Sequence, residues 1–419
     1  MVGNRIYIKS LSIGFFLVLG NEAMSYIHGY LVHIKRNWSI VITKLCESSH
    51  IIFFLVIIKV LFFGFGYFFY ILHTNSAVNI HPFLSIFYRW DVRHYLTIAE
   101  RGYTVLENGA LIHVVFPPLW PLLIYLVNSI FHNTMLSGLL LANLFSLLGG
   151  IVLYLVLKKD YGAKVAFHST LLLFIFPTAF YLHIPYTEAL FFFLIASFFY
   201  ALRSHNFLLA TVFGFFASTT RIVGFLLIVP YLVEYYSTYK FSMNKKFWYV
   251  FLIPGGFGVY LLLNYYLAGD YFAFINIQRG HWTRKNTSFM NIPIRTFYSA
   301  KSLLFSRNFT TNGLLLDRVE PFFSLFAAII LLIGRKILRA SYFCYGMVNL
   351  VFLFSQSFWL SNTRYILVIF PLFIILAGYL FADSTKNYRV VLGFCYAFFC
   401  IMLLSQFFSR FMIGHTTAL

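Results

Sequence analysis

The chain has 419 residues, 61% of them hydrophobic and only 10% charged, with 54 Phe and 30 Tyr. A soluble chain carries roughly a quarter charged residues, and a disordered one is polar and poor in aromatics, so both classes are excluded and a polytopic membrane protein is expected. The 31 Lys and Arg outnumber the 12 acids, but they are spread thinly between apolar runs, which suits topology-setting and anionic lipid better than nucleic acid.

The first fifty residues form an extension of uncertain structure. Ile6–Gly20 is apolar but short for a span and broken by Lys9, with only a loose likeness to a signal peptide. Lys35, Arg36 and Lys44 precede the first convincing span, Ile51–Leu72, which places residues 35–50 on the cytoplasmic side and the exit near His73. A polar loop from about 73 to 115 then carries Asp91, Glu100 and Glu107. Apolar runs follow at 116–131, 136–157, 163–181, 186–202, 207–236 and 247–267. A second polar loop covers about 268–318, and runs at 322–334, 342–360, 365–381 and 390–411 close the chain before a short tail, 412–419. No period repeats, and Cys46, Cys344, Cys395 and Cys400 lack metal-like spacing and read as free thiols acting as small hydrophobes.

Short basic loops at Lys158/Lys159/Lys164, Arg203, Lys240/Lys245/Lys246, Arg335/Lys336/Arg339 and Lys386/Arg389 should all be cytoplasmic. Counting every run as one span puts the Lys158 loop outside. The conflict disappears if 116–131, broken at its start by Pro117, Pro118 and Pro121, is re-entrant, and if 207–236 bends back at Arg221. Every polar cluster then faces the non-cytoplasmic side.

An acid at a membrane is costly without a partner or a task, so the acids guide the search. Asp91 lies in Arg89-Trp90-Asp91-Val92-Arg93-His94-Tyr95. A helix there sets Asp91, His94, Tyr95 and Ile98 on one face. It is either an amphipathic surface helix with Asp91 paired to Arg89 or Arg93, or the place of a general base acting on a hydroxyl. Glu188, in Tyr186-Thr187-Glu188, is either a functional acid or an anion favoured in the first turn of a helix. Arg221, inside Thr219-Thr220-Arg221-Ile222-Val223-Gly224, either grips a phosphate or pairs with a scarce acid such as Glu188. Gln278, Arg279, His281 and Trp282 suit sugar or phosphate recognition, or an interfacial belt. Arg364, in Thr363-Arg364-Tyr365, opens a span and either snorkels or joins a site.

In this order the clusters resemble the PIG-V-like mannosyltransferases, the GPI mannosyltransferase 2 family with its prokaryotic relatives. The matching residues are Trp90-Asp91, Ile98-Ala99, Gly102-Tyr103, Phe116-Pro117, Pro121-Leu122, Tyr186-Thr187-Glu188, Thr220-Arg221 with Gly224, Gln278, Trp282 and Arg364-Tyr365. The family often has Ala-Phe-Phe-Pro where this chain has Val114-Val115-Phe116-Pro117.

The resemblance implies one GT-C type catalytic domain over 51–411, all-α, with about 10–12 transmembrane helices and two large non-cytoplasmic loops. It implies a polyprenyl- or dolichyl-phosphate sugar donor, typically of mannose, and an acceptor hydroxyl on a glycan, lipid or protein. On that reading Asp91 is the general base of an inverting displacement. Arg221, with Arg364 or Arg279, holds the phosphate. Trp90, Gln278 and Trp282 line the sugar site, and Glu188 orders His94 or Arg221. No metal, cofactor or nucleic acid is expected, and chain length favours a prokaryotic plasma membrane over the endoplasmic reticulum. The alternative is a transporter or flippase of a lipid-linked or anionic substrate, although such proteins often carry internal repeats. A scaffold subunit predicts that Asp91 lies far from Arg221.

Overall fold

A computed structural model describes residues 43, 47–74, 80–104, 111–240, 242–281, 301, 314–355, 362–382 and 387–414. The chain divides into two compact units, Met1–Ile52 and Phe53–Leu419, and the second holds the features below. Among the described residues all regular structure is helical, and the protein is an all-α polytopic integral membrane protein.

Helices α1 (Ser49–Thr74), α2 (Ile80–Ser85), α3 (Asp91–Arg101), α4 (Leu119–Phe131), α5 (Thr134–Phe174), α6 (Glu188–Arg203), α7 (Phe207–Thr220) and α8 (Ile228–Tyr239) form the first part. Helices α9 (Lys245–Trp248), α10 (Leu252–Ala268), α11 (Ala273–Gly280), α12 (Leu314–Ile333), α13 (Ala340–Phe354), α14 (Asn362–Leu367), α15 (Pro371–Phe381) and α16 (Asn387–Met412) complete it. Asparagine side chains start three of them by accepting from an orphan backbone N–H: Asn133 from Leu136, Asn206 from Leu209 and Asn244 from Lys246. Among the described residues five helical segments are long and apolar enough to cross a membrane, and α4, α7, α13 and α15 are shorter apolar helices.

Contacts order the passes, with α6 as the ruler. At its first residue, Glu188 meets Arg221; at its last, Arg203 meets Glu234. Segment 207–239 therefore goes out and back, turning at Arg221, whose backbone is extended (φ −147°, ψ 139°). Helix α5 starts at the Glu188 end and passes Lys159, whose Nζ donates to Arg203 O at 2.6 Å. It breaks at Gly162 (φ 82°, ψ 164°) and returns to Thr178, which donates to Thr363 O at 3.0 Å. The two runs expected there are thus two helical passes that meet at Gly162, whose positive φ reverses the chain.

Helix α4 does not cross. Trp120 Nε1 near its start donates to Pro185 O at 3.1 Å, and Thr134 just past its end donates to Glu100 at 2.5 Å. Both partners lie at the Glu188 end. With α4 re-entrant, Lys159, Lys164, Arg203, Lys246 and Arg339 all gather at the Arg203 end. The positive-inside rule expects such an end to face the cytoplasm. Within the described residues of the polar loops, the first holds α2 and α3, and the second holds α11 and the start of α12.

Candidate active site

Asp91 opens α3, where the helix dipole favours an anion. Trp90 just before it has φ 48° and ψ −129°, a conformation a bulky side chain rarely adopts and one that costs about 1–3 kcal/mol. Such strain persists only where the surroundings impose it, and here it aims the carboxylate. Arg364 on α14 is the partner: its Nη1 donates to Asp91 Oδ2 at 2.8 Å. The pairing with Arg89 or Arg93 that the local sequence allows is not formed. Arg89 reaches Met412 O instead, and Arg93 lies over the Tyr88 ring.

The other edge of Arg364 reaches inward. Its Nε donates to Glu188 Oε1, and Arg221 Nη1 donates to the same oxygen. Arg221 also donates to Thr187 Oγ1 at 3.2 Å. Asp91, Arg364, Glu188 and Arg221 thus form one ionic chain with no net formal charge. Glu188 is fully buried and both arginines nearly so, whereas the Asp91 side chain is 26% exposed. Burying charges this deeply is tolerable only when each is paired. Aromatic faces add to the pairing: Arg221 sits 4.8 Å from the Tyr365 ring centroid, and Arg364 sits 4.5 Å from that of Tyr186.

Two polar atoms in this region, Glu188 Oε2 and the Tyr186 hydroxyl, are buried without a hydrogen-bond partner, as is Trp90 Nε1. Buried groups of this kind are normally satisfied, so these three mark acceptors and donors that the described residues leave open. Tyr95, one turn after Asp91, is within reach of all four charges, and burial followed by the Asp91 carboxylate pushes its hydroxyl above the ordinary range.

The sequence of the motifs has local reasons. Arg221 caps α7, and the chain then doubles back so tightly that a Cβ on Gly224 would lie 2.4 Å from backbone atoms of Ala217 and Ser218. Only glycine fits that approach. Arg364 is held inside rather than snorkelling, because α14 is a short helix ending before Pro371 and points its guanidinium at Glu188.

His94 does not touch Glu188. Its Nδ1 lies 3.2 Å from His113 Nε2, and its ring stacks on Phe116 at 5.1 Å. The 112–115 turn that carries His113 is pinned by Tyr260, whose hydroxyl donates to Val114 O at 2.7 Å. Helix α11 packs on this turn, with Gln278 half-buried and Arg279 exposed. Arg279 stands apart from the ionic chain. Trp282 lies outside the described residues. Among the described residues no group of three or more His, Cys, Asp or Glu assembles as a metal site.

Sequence reasoning missed Lys59, in the middle of α1. Its Nζ contacts Asn143 Oδ1 at 3.1 Å, Ser146 Oγ at 2.6 Å and His183 Nδ1 at 3.2 Å. Asn143 Nδ2 also donates to His183 O. This clamp ties α1 and α5 to the irregular segment that leads into Tyr186, Thr187 and Glu188. The signal was there to read: a single lysine amid an apolar span is as unusual as an acid.

No protein-family model matches the chain, and no curated protein matches its sequence. Among solved structures it is similar to ArnT from Cupriavidus metallidurans bound to undecaprenyl phosphate, with 13% identity and a TM-score of 0.47 over 79% of this chain and 71% of that one. The apo state of the same protein gives 15% identity and a TM-score of 0.46 over 77% and 70%. The Archaeoglobus fulgidus oligosaccharyltransferase gives 10% identity and a TM-score of 0.40, covering 77% of this chain and 48% of that one. Likeness at this level assigns no residue a role, and the PIG-V-like resemblance rests on the ordered motifs alone.

Proposed function

We propose that the protein is a GT-C type glycosyltransferase of the PIG-V-like kind. It moves a hexose, mannose by motif resemblance, from a polyprenyl- or dolichyl-phosphate donor to an acceptor hydroxyl on a glycan, lipid or protein. The reaction takes place at the non-cytoplasmic face of the membrane, which we assign to a prokaryotic plasma membrane. The observation that carries the reading is a single partly exposed carboxylate, Asp91, joined through Arg364 to a buried Glu188–Arg221 pair at the non-cytoplasmic end of the bundle.

The chemistry follows from those positions. The acceptor oxygen attacks the anomeric carbon and inverts it, the bond from that carbon to the phosphate oxygen breaks, and the acceptor proton passes to Asp91. The departing lipid phosphate gains one negative charge, which a guanidinium stabilises where water is scarce. Trp90, His94, Gln278 and Trp282 are assigned to the sugar. Glu188 keeps Arg221 and Arg364 in register. A scaffold subunit gives no reason to join Asp91 to Arg221 through two further ionic partners.

The test is a panel of lipid-phosphate hexoses offered to the purified protein, with mass spectrometry of the products. Transfer from at least one donor, lost in Asp91→Asn, is the expected result. Unchanged turnover in a folded Asp91→Asn protein sinks the assignment of the base.

A further inference from the structure

We infer that Arg364 changes partner when the donor binds: it holds Asp91 while the site is empty and turns to the lipid phosphate when that arrives. Asp91 is therefore released to meet the acceptor only after the donor is in place. This inference rests on the lipid-phosphate reading above and adds an order of events to it.

The charge count within the network favours an exchange. Two carboxylates already neutralise the two arginines, so an incoming phosphate finds no spare positive charge in the network. Arg221 is the wrong residue to release. It is enclosed by Phe191 and Tyr365 and bound to Thr187 and Glu188, and freeing it takes one of two guanidinium partners from a carboxylate with no exposure at all. The Nε bond from Arg364 to Glu188 is enclosed in the same way.

The Arg364–Asp91 bond differs. It runs from the outer nitrogen, Nη1, to the one member of the network with appreciable solvent contact. When it opens, Asp91 is left facing water or an acceptor hydroxyl rather than apolar protein. Arg364 meanwhile keeps its Nε anchor on Glu188 and its place over the Tyr186 and Tyr181 rings. A small rotation about that anchor moves one end of the planar fork from carboxylate to phosphate, two acceptors of matching geometry. Asp91 and the donor phosphate are then competitors for one guanidinium. A ligand whose binding-competent state is only partly populated binds more weakly by that fraction.

The experiment measures affinity of the purified full chain for a polyprenyl phosphate, with the same polyprenol lacking phosphate as control. The Asp91→Asn variant is expected to bind the phosphate about tenfold more tightly than the unmodified protein, as removal of a competitor requires, with polyprenol affinity unchanged. Asp91→Ser repeats the measurement with a different side chain, and Arg364→Gln is expected to lose the preference for phosphate over polyprenol. Equal or weaker phosphate binding in both Asp91 variants overturns the exchange but leaves a lipid-phosphate site standing. An unmodified protein with no preference for phosphate overturns the exchange and the lipid-phosphate reading together.

Discussion

Helix α6 ends in an ionic network on each side of the membrane, and both networks are built from two acids and two arginines. By helical rise they are about 22 Å apart. At the Arg203 end, Arg203 grips Asp160 with Nε and Nη2 and meets Glu234 at 2.6 Å. Arg339 adds a second contact to Glu234, at 3.2 Å. Tyr342 donates to Asp160 Oδ2, which Arg203 Nε also reaches, and Ser341 donates to the remaining Glu234 oxygen. Every carboxylate oxygen there is satisfied. At the other end, one Glu188 oxygen takes two guanidinium groups, the other takes none, and Asp91 is partly open. Equal charge therefore serves different ends. The saturated network stitches passes together, and the unsaturated one, on the proposed function, keeps acceptors and a carboxylate in reserve for a substrate.

The sharpest way to break that contrast is to remove one charge at each end. Asp91→Asn is expected to lower the transfer rate about a thousandfold, within the range for loss of a general base, while the thermal midpoint in detergent stays near that of the unmodified protein. Arg203→Met should do the reverse. Leaving Asp160 and Glu234 short of their main partner costs about 3–5 kcal/mol, seen as a lower thermal midpoint, with the rate per folded molecule kept. A large loss of rate without loss of stability in Arg203→Met means that the two ends are not specialised in this way.

Smaller effects sharpen the picture at the site end. Lys59→Met removes the clamp behind the Tyr186–Glu188 segment and is expected to cost about 1–3 kcal/mol, with a raised KM for the donor measured alongside the thermal midpoint. Tyr186→Phe deletes a hydroxyl that has no partner within the chain. Its stability should change by no more than about 0.5 kcal/mol, while the rate falls about tenfold if that hydroxyl serves the substrate, a loss equivalent to one hydrogen bond. An unchanged rate assigns the hydroxyl to structural water instead.

Composition alone was enough to place this chain in a membrane and to make its few acids informative. Three prolines before Leu122 and a lone arginine in a thirty-residue apolar run were enough to expect a re-entrant α4 and a turn at Arg221. Both expectations follow from rules that act locally: proline cannot continue a helix, and basic loops stay on one side.

Tertiary structure alone decided the partners. Asp91 meets Arg364 across 273 positions, and Glu188 gathers arginines 33 and 176 positions away. Lys59 finds its acceptors 84 to 124 positions on. The reason is that passes apolar on every face carry little periodic signal about which side meets which neighbour. A buried charge announces that it needs a partner, but only the packing of the helices determines which one it gets.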